Sequence, residues 1–486
     1  MSSTTIELRP EEVSTNTPED RISALFAVQQ QHMHQAGKSS VVERIKKLKL
    51  LKQVFLAHRA ALKEAMFKDY NKPGPEVDLA EIFVVLNELN HTIRKLRGWM
   101  SKHRVGTPWF LMGSSSYIHY EAKGHVLVIS PWNFPIHLTL MPLIHSYAAG
   151  NVTMIKPSEY TPYTVEVVKK IIEAVFTPSE AVVIEGNVAV STQLLALKFN
   201  HIFFTGSPKV GKIVMKAAAE HLASVTLELG GKSPLVIDKS ADMHLAILFT
   251  AVSKFVNAGQ YCISPDYIYV HESVKDVFLT KLIEEIRYRY GKDDEARIHG
   301  NFSRIVNQLH TRRVSAYVQD AIQKGAKLVY GGDIEKDKDY IGPTIFTDVT
   351  DDMTLCTDEI FGPIIYIKTY QNIQEVIDHV NKGPKPLSMY LFSQDTTTRQ
   401  RIRKEISAGG LNINAIAIHY YNYNLPFGGV NNSGIGSSHG FHSFQEFSNA
   451  KSVLFQWFKW PGISLMFPPF TKTTRRLIDL LIKIMS

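Results

Sequence analysis

Residues 203–212 read FFTGSPKVGK, an apolar run that ends at Phe204, a turn carrying Gly206 and Ser207, and a helix-forming stretch that continues through Ala217. A strand that turns over a glycine into a helix leaves unpaired backbone N–H groups at the helix start, where the peptide dipoles favour an anion such as a phosphate. Working outward, 125–130 (HVLVIS), 151–155 (NVTMI), 181–184 and 201–204 are short continuous apolar runs with helical stretches between them, including 161–175. Continuous apolar runs suit parallel strands buried on both faces. Strand–helix–strand units of this length predict a doubly wound sheet with its ligand at the carboxyl ends of the strands.

Two other readings of the glycine turn compete with this one. Gly206-x4-Gly211-Lys212 matches all but the last position of a nucleotide-triphosphate loop, where Ile213 offers no hydroxyl for magnesium. The GxGxxG dinucleotide fingerprint is absent as well, and a purely structural turn stays open.

After residue 234 the alternation begins again. Residues 235–237, 267–271 and 365–369 read as strands, 272–288, 303–323 and 373–382 as helices, and 409–414 as a returning strand; the glycine-rich 425–436 (LPFGGVNNSGIG) reads as a loop. Ahead of both sets lies a helical region. Thr17 and Pro18 mark a helix start, Ser40 and Glu43 form a capping-box pattern, apolar residues recur at helical spacing to about residue 69, and 71–75 (NKPGP) breaks the run before a helix from about 76 to 102. Residues 107–121 read as a hairpin around Gly113.

The chemistry concentrates in 257–266, NAGQYCISPD. Cys262 is one of only two cysteines, and glycine, proline and polar residues around it suggest a shaped loop, where a thiol can be reached. Cys356, in MTLCTDEIF, reads as a small apolar residue. Glu228 stands in 227–234, LELGGKSP. Alone, Glu228 reads as a helix-start carboxylate, and Asn133, in SPWNFP, as a turn residue.

GQxC following LELGGKSP at this spacing resembles the aldehyde dehydrogenase superfamily over about residues 20–455. KPSE at 156–159 and the short chain ahead of the motifs are most similar to its class 3, or fatty aldehyde dehydrogenase, branch. The resemblance implies two doubly wound α/β domains, a Rossmann-like cofactor domain and a catalytic domain, plus a small hairpin that joins a partner subunit. Expected boundaries are an arm and helices to 106, the hairpin at 107–123, the cofactor domain at 124–230, the catalytic domain at 231–430, an oligomerisation segment at 431–456 and a tail at 457–486. It also implies oxidation of an aldehyde to an acid with NAD, NADP being an alternative. Cys262 would attack the carbonyl. Its own N–H and the Asn133 side chain would hold the oxyanion, donors worth about 3–4 kcal/mol each. Glu228 would activate the water that hydrolyses the thioester. Lys156 and Glu159 would meet the adenosine ribose, Gly206, Ser207 and Gly211 the pyrophosphate, and Glu359 and Phe361, in DEIFGP, the nicotinamide side. Tyr261 and Phe427 would line the substrate pocket. Tyr261 is bulkier than in many relatives, and Asn431-Asn432 replaces a Gly-Asn pair.

A CoA-acylating enzyme is an alternative, but such enzymes usually lack the carboxylate matching Glu228. A non-catalytic binding protein would be expected to lose Cys262, Glu228 or Asn133, and all three are intact. His137, His145, His419, His439 and His442 show no ligand spacing, so no metal is expected.

At 486 residues the chain predicts two or three domains, and 44% hydrophobic and 21% charged residues are ordinary for a globular protein. Two cysteines supply no disulfide framework and the N-terminus shows no secretory pattern, so a cytoplasmic location is expected. Of the net charge of +8, +5 lies in residues 451–486, which argues against a basic nucleic-acid face. In that tail, 457–470 is aromatic and broken by prolines, and 471–486 is amphipathic, with Leu477, Leu480, Leu481 and Ile484 on one face. Sixteen residues do not span a bilayer. The tail reads either as a peripheral membrane element on the cytoplasmic face or as a helix docked on the protein. Phe444, Phe447 and Val453 are expected in a homodimer contact with the hairpin.

Overall fold

The computed structural model describes residues 18–291, 302–458 and 467–486. The expected N-cap at Thr17 and part of the aromatic tail, 459–466, lie outside the described residues.

The chain opens on helices α1 (Pro18–Gly37), α2 (Val41–Ala57) and α3 (Arg59–Tyr70). The capping box at α2 is present: Ser40 Oγ accepts from the Glu43 N–H, and the Glu43 carboxylate accepts from the Ser40 N–H (2.7 Å). The run expected to be one helix to residue 69 is broken at His58, with Leu48, Leu51 and Phe55 buried along α2. Asn71, in the left-handed region at φ 56°, ends α3. A second helical run starts at Gly74, passes through a π turn at Asp78–Ile82 and becomes α4 (Phe83–Trp99).

Strands β1 (His103–Val105) and β2 (Ser114–Ala122) pair antiparallel. The hairpin is therefore offset from the expected 107–121: its first arm comes earlier, and a 3-10 turn at Trp109–Leu111 occupies the aromatic run. Next come β3 (His125–Ile129), α5 (His137–Ala149), β4 (Val152–Lys156), α6 (Pro162–Glu173), β5 (Ala181–Val183), β6 (His201–Gly206), α7 (Pro208–Ala219) and β7 (Ser224–Leu229). The second set is β8 (Ser233–Ile237), α8 (Met243–Phe255), β9 (Pro265–His271), α9 (Lys275–Tyr290), α10 (Gln308–Gln323), β10 (Lys327–Tyr330), β11 (Thr344–Thr347), β12 (Ile364–Tyr370), α11 (Ile373–Lys382), β13 (Ser388–Phe392) and β14 (Gly410–Ile413). The chain closes with β15 (Gly434–Ile435), α12 (Gly440–Glu446), β16 (Ser448–Gln456) and α13 (Lys472–Met485).

Besides a two-stranded pair of Ile334–Glu335 with Tyr340–Ile341, three sheets form among the described residues. One has the order β15-β7-β6-β3-β4-β5, parallel except for β15; a larger one has the order β10-β11-β12-β9-β8-β13-β14, parallel except for β10; the small one is β1-β2-β16. This is the doubly wound α/β architecture. Val126, Leu127 and Val128 are all fully buried, as central parallel strands covered by helices on both faces require.

Two expectations fail here. The loop at 425–436 contains β15, whose Gly434 pairs with Glu228 of β7. Phe444 and Phe447 are not subunit contacts: both are buried in this chain's own core, Phe447 stacked on Phe203 at 5.5 Å and Phe444 against Trp99 at 5.5 Å. Burial of each is worth about 1.5–3 kcal/mol, which no free surface would supply. The apolar residues left outside are Leu454, Phe455, Trp457 and Phe458, with Val453 half-buried.

Candidate active site

Glu228 lies in strand β7, not at a helix start. Its carboxyl is buried, and among the described residues neither oxygen has a hydrogen-bond partner. The nearby Ser438 hydroxyl, which would favour the charged form, is turned toward the Phe427 carbonyl (3.2 Å). Burial pushes this carboxyl up to about 8, with the Glu446 charge adding to the shift.

Cys262 follows a strained loop. Asn257, Ala258 and Gly259 occupy the left-handed region at φ 54°, 52° and 70°, in a 3-10 segment that closes the end of α8. Such backbone persists only where its surroundings over-determine it, and here they do. The Asn257 N–H donates to Glu76 (2.9 Å), and its side-chain amide donates to the carbonyls of Asn133 (3.0 Å) and Gln260 (3.1 Å). Gln260 donates to Arg304 O (2.9 Å) and accepts from the Val306 N–H (3.1 Å). Gly259 is required: a Cβ there would run into the Gly362 carbonyl, so the cysteine loop and the DEIFGP turn are in contact.

The half-buried Cys262 and Glu228 line one cavity of about 280 Å3, walled by Phe134, Tyr261, Tyr420 and Phe427 and extending between Leu138 and Met141 of α5 and Phe249 and Val252 of α8. The walls are almost wholly apolar. Burial pushes the Cys262 thiol up, the Glu228 and Glu359 charges push it further, and the backbone N–H groups of Cys262 and Ile263 oppose the shift. Asn133 is buried beside this wall, its carbonyl also accepting from the Tyr70 hydroxyl (2.9 Å).

Along the carboxyl ends of the first sheet, Lys156 closes β4 and donates to the Glu159 carboxylate (2.9 Å) and the Pro157 carbonyl (2.8 Å). Ser207 caps α7, accepting from the Val210 N–H (3.4 Å), and a Cβ at Gly211 would meet the Leu229 side chain at 2.7 Å, so α7 packs tightly on β7. Glu359 fills the space left by the missing Cβ of Gly230, and burial, with Asp266 second, pushes its carboxyl up to about 8. Phe361, at φ 45°, meets Trp132 edge-on at 5.5 Å. The turn is held by Arg313, which donates to the Ile360 (2.8 Å) and Phe361 (3.2 Å) carbonyls, by Asp266, which accepts from the Ile360 N–H (3.0 Å), and by Lys232, which donates to Asp358 O (2.7 Å).

Several buried groups escaped the sequence reading: Lys254 near Glu359, and the Tyr70–Lys72–Glu81–His137 set behind Asn133. Lys72 sits in what reads as a mere breaker, and Glu81 lies far from His137 in sequence, so no local signal joins them. His137 and His145 each bond a carboxylate, Glu81 at 3.0 Å and Glu88 at 2.9 Å, while His439 stacks on Phe427 and meets Tyr420 edge-on. Among the described residues no group of three or more His, Cys, Asp or Glu could hold a metal ion.

A family model described as the aldehyde dehydrogenase family matches residues 11–453. The chain is 41% identical over 413 residues to 4,4'-diaponeurosporen-aldehyde dehydrogenase of Staphylococcus aureus, covering 85% of this chain and 89% of the relative. It is 36% identical over 441 residues to aldehyde dehydrogenase family 3 member H1 of Arabidopsis thaliana, covering 90% of each. Among solved structures, the substrate-bound state of Staphylococcus aureus AldH superposes with a TM-score of 0.90 at 38% identity, covering 95% of this chain and 99% of that one.

Proposed function

Because this chain belongs to the aldehyde dehydrogenase family, most like its class 3 branch, and oxidises an aldehyde with a nicotinamide dinucleotide, we propose that it acts on apolar aldehydes through Cys262, Asn133 and Glu228 and releases the free acid. The observation that carries the proposal is the single apolar cavity lined by both Cys262 and Glu228. The relative named for 4,4'-diaponeurosporen-aldehyde supports an apolar substrate.

In this reading the Cys262 sulfur adds to the carbonyl carbon, the thiol proton leaves to solvent, and the carbonyl electron pair moves onto oxygen. The Cys262 N–H and the Asn133 amide donate to that oxyanion. A bound dinucleotide would supply the hydride acceptor; the thiohemiacetal carbon gives up its hydride as the oxyanion collapses to the thioester carbonyl. Glu228 then removes a proton from water as its oxygen adds to the thioester carbon. The C–S bond breaks, the electron pair returns to sulfur, and the acid leaves. A carboxylate beside the thioester supports water over coenzyme A as acceptor.

The residues present fit the cofactor: α7 offers a capped N-terminus after β6, tightly seated through Gly211, and Gly230 leaves room for Glu359. Lys156 and Glu159 would hold the adenosine ribose, Gly206, Ser207 and Gly211 the pyrophosphate, and Glu359 and Phe361 the nicotinamide side.

Domain boundaries at 107–123, 124–230 and 231–430 belong to the same proposal, as does a homodimer joined through the small sheet. So does the tail. Helix α13 is capped by Thr471 and has no buried side chain; Leu480, Ile484 and Met485 are exposed, with Arg475, Arg476 and Lys483 as cations. Among the described residues no helix is long and apolar enough to cross a membrane. A surface-lying helix would place apolar groups at the acyl boundary and cations against anionic lipid, at about 1 kcal/mol per cation.

A panel of straight-chain aldehydes, with reduced cofactor followed by absorbance, tests the substrate. Each added methylene inside the cavity should raise kcat/KM by up to about fourfold, from ~0.8 kcal/mol of burial. Preference for short polar aldehydes would overturn it. Full-length protein should float with anionic vesicles at low salt, and protein lacking residues 457–486 should not, while keeping activity on short aldehydes. A soluble full-length protein would make the tail a docked lid.

A further inference from the structure

The segment 70–81 forms a buried brace behind the reaction centre, bonded to Asn133 on one side and to the start of the Cys262 loop on the other. Tyr70, at the end of α3, donates its hydroxyl to the Asn133 carbonyl (2.9 Å). Lys72, fully buried, sets its ammonium 3.8 Å from the centre of the Phe134 ring and 3.8 Å from Glu81. Glu81 accepts from the backbone N–H of His137 (2.7 Å) and from its imidazole (3.0 Å). The backbone from Asn133 to His137 is thus held at its carbonyl, at a neighbouring ring and at the start of α5. On the other side, Glu76 accepts from the Asn257 N–H (2.9 Å), and the Asn257 amide donates to the same Asn133 carbonyl (3.0 Å). Asn257 begins the left-handed run that ends at Gly259, three residues before the nucleophile, and the Asn133 carbonyl receives one donor from each side.

We propose that Tyr70 and Asn257 are positioning residues: by sharing the Asn133 carbonyl they fix the Asn133 amide, the oxyanion donor of the reading above, relative to the Cys262 loop. Neither touches the substrate. A displacement of well under an ångström between an oxyanion donor and the attacked carbonyl weakens stabilisation that exists only in the transition state, so the effect belongs in the rate and not in binding. The inference rests on Asn133 acting as that donor, and the experiment separates the two.

Tyr70→Phe removes one oxygen and leaves the ring in place. Asn257→Gly removes the other donor while tolerating the positive φ. Each should lower the single-turnover rate of cofactor reduction by about 5- to 20-fold, with KM for aldehyde changed less than about twofold. Thermal midpoint and NAD+ binding by fluorescence should stay near the parent's. The deciding measurement is a double-mutant cycle with Asn133→Ala. If Tyr70 acts through Asn133, Tyr70→Phe should cost less than about twofold once the amide is gone. Equal losses in both backgrounds, or no loss in the parent, would overturn the positioning role while leaving Asn133 as donor. An Asn133→Ala enzyme as fast as the parent would instead overturn Asn133 as donor, and the positioning role with it. Should Tyr70→Phe lower the thermal midpoint sharply, Asn257→Gly in the same cycle decides.

Discussion

Glu228 keeps its proton to about 8 because it is buried with no hydrogen bond among the described residues, so at neutral pH the carboxyl is mostly neutral. If it is the base for water, steady turnover should climb from pH 6.5 through about 8 and level above it. Glu228→Gln should flatten that profile and retain a burst of reduced cofactor before slow release of acid, seen by stopped-flow absorbance. The same shift has a stability sign. The unfolded chain releases this proton near 4.5 and the folded one near 8, so the contribution is present below 4.5 and lost as pH rises through about 8. Glu228→Gln should therefore melt above the parent at pH 8.5 and close to it at pH 5, by calorimetry. Cys262→Ala should lower aldehyde oxidation by at least about 1,000-fold with NAD+ affinity nearly unchanged, since the covalent route is gone. Cys356→Ala, away from that cavity and packed at the edge of the core around the second sheet, should leave kcat/KM within about twofold. The Glu159 carboxylate, paired with Lys156, should repel a 2′-phosphate, so Glu159→Gln should shift the NAD+/NADP+ ratio of kcat/KM toward NADP+.

At the scale of elements, the turn between α8 and β9 is left-handed at three successive residues, and it is held by the Glu76 side chain, from the helical run that starts at Gly74, and packed against the Gly362 carbonyl of the DEIFGP turn. Gly259→Ala adds a Cβ at φ 70° against the Gly362 carbonyl. It should lower stability by roughly 1–3 kcal/mol in urea melts and reduce kcat/KM at least tenfold, because the loop carrying the thiol must move. A variant with parental activity and stability would mean that this turn is slack. The placement of Glu228 also belongs at this scale. Glu228 lies in a strand whose neighbours β6 and β15 leave no room for the helix start that its local sequence suggests.

At the scale of the whole molecule, an apolar surface is left uncovered along the small sheet. Leu454 and Phe455 are 51% exposed at the end of β16, with Trp457 and Phe458 beyond it and Val105, Trp109 and Met112 nearby. Such a surface supports the proposed contact with a second copy. The parent should sediment as a dimer at micromolar concentration, and a double substitution of Leu454→Arg and Phe455→Arg should shift it to monomer with the core intact. A monomeric parent would end the proposal.

From the residues alone came the alternation of buried strands and helices, because continuous apolar runs and glycine turns are local properties, and the Cys262 and Glu228 motifs, because their order and spacing match a known family. The Ser40–Glu43 cap was equally legible, since its partners are three residues apart. What only the tertiary structure decided is everything that depends on distant partners. The first arm of the hairpin moved to 103–105 because β2 pairs with β16, over 300 residues away. Phe444 and Phe447 went inward because Trp99 and Phe203 were there to receive them. The Tyr70–Lys72–Glu81 brace and its hold on Asn133 and Asn257 left no trace in spacing. Its hydrogen bonds join residues 56 to 181 positions apart, and such pairing is set by the packing of the helical entry region against the sheets, not by any local pattern.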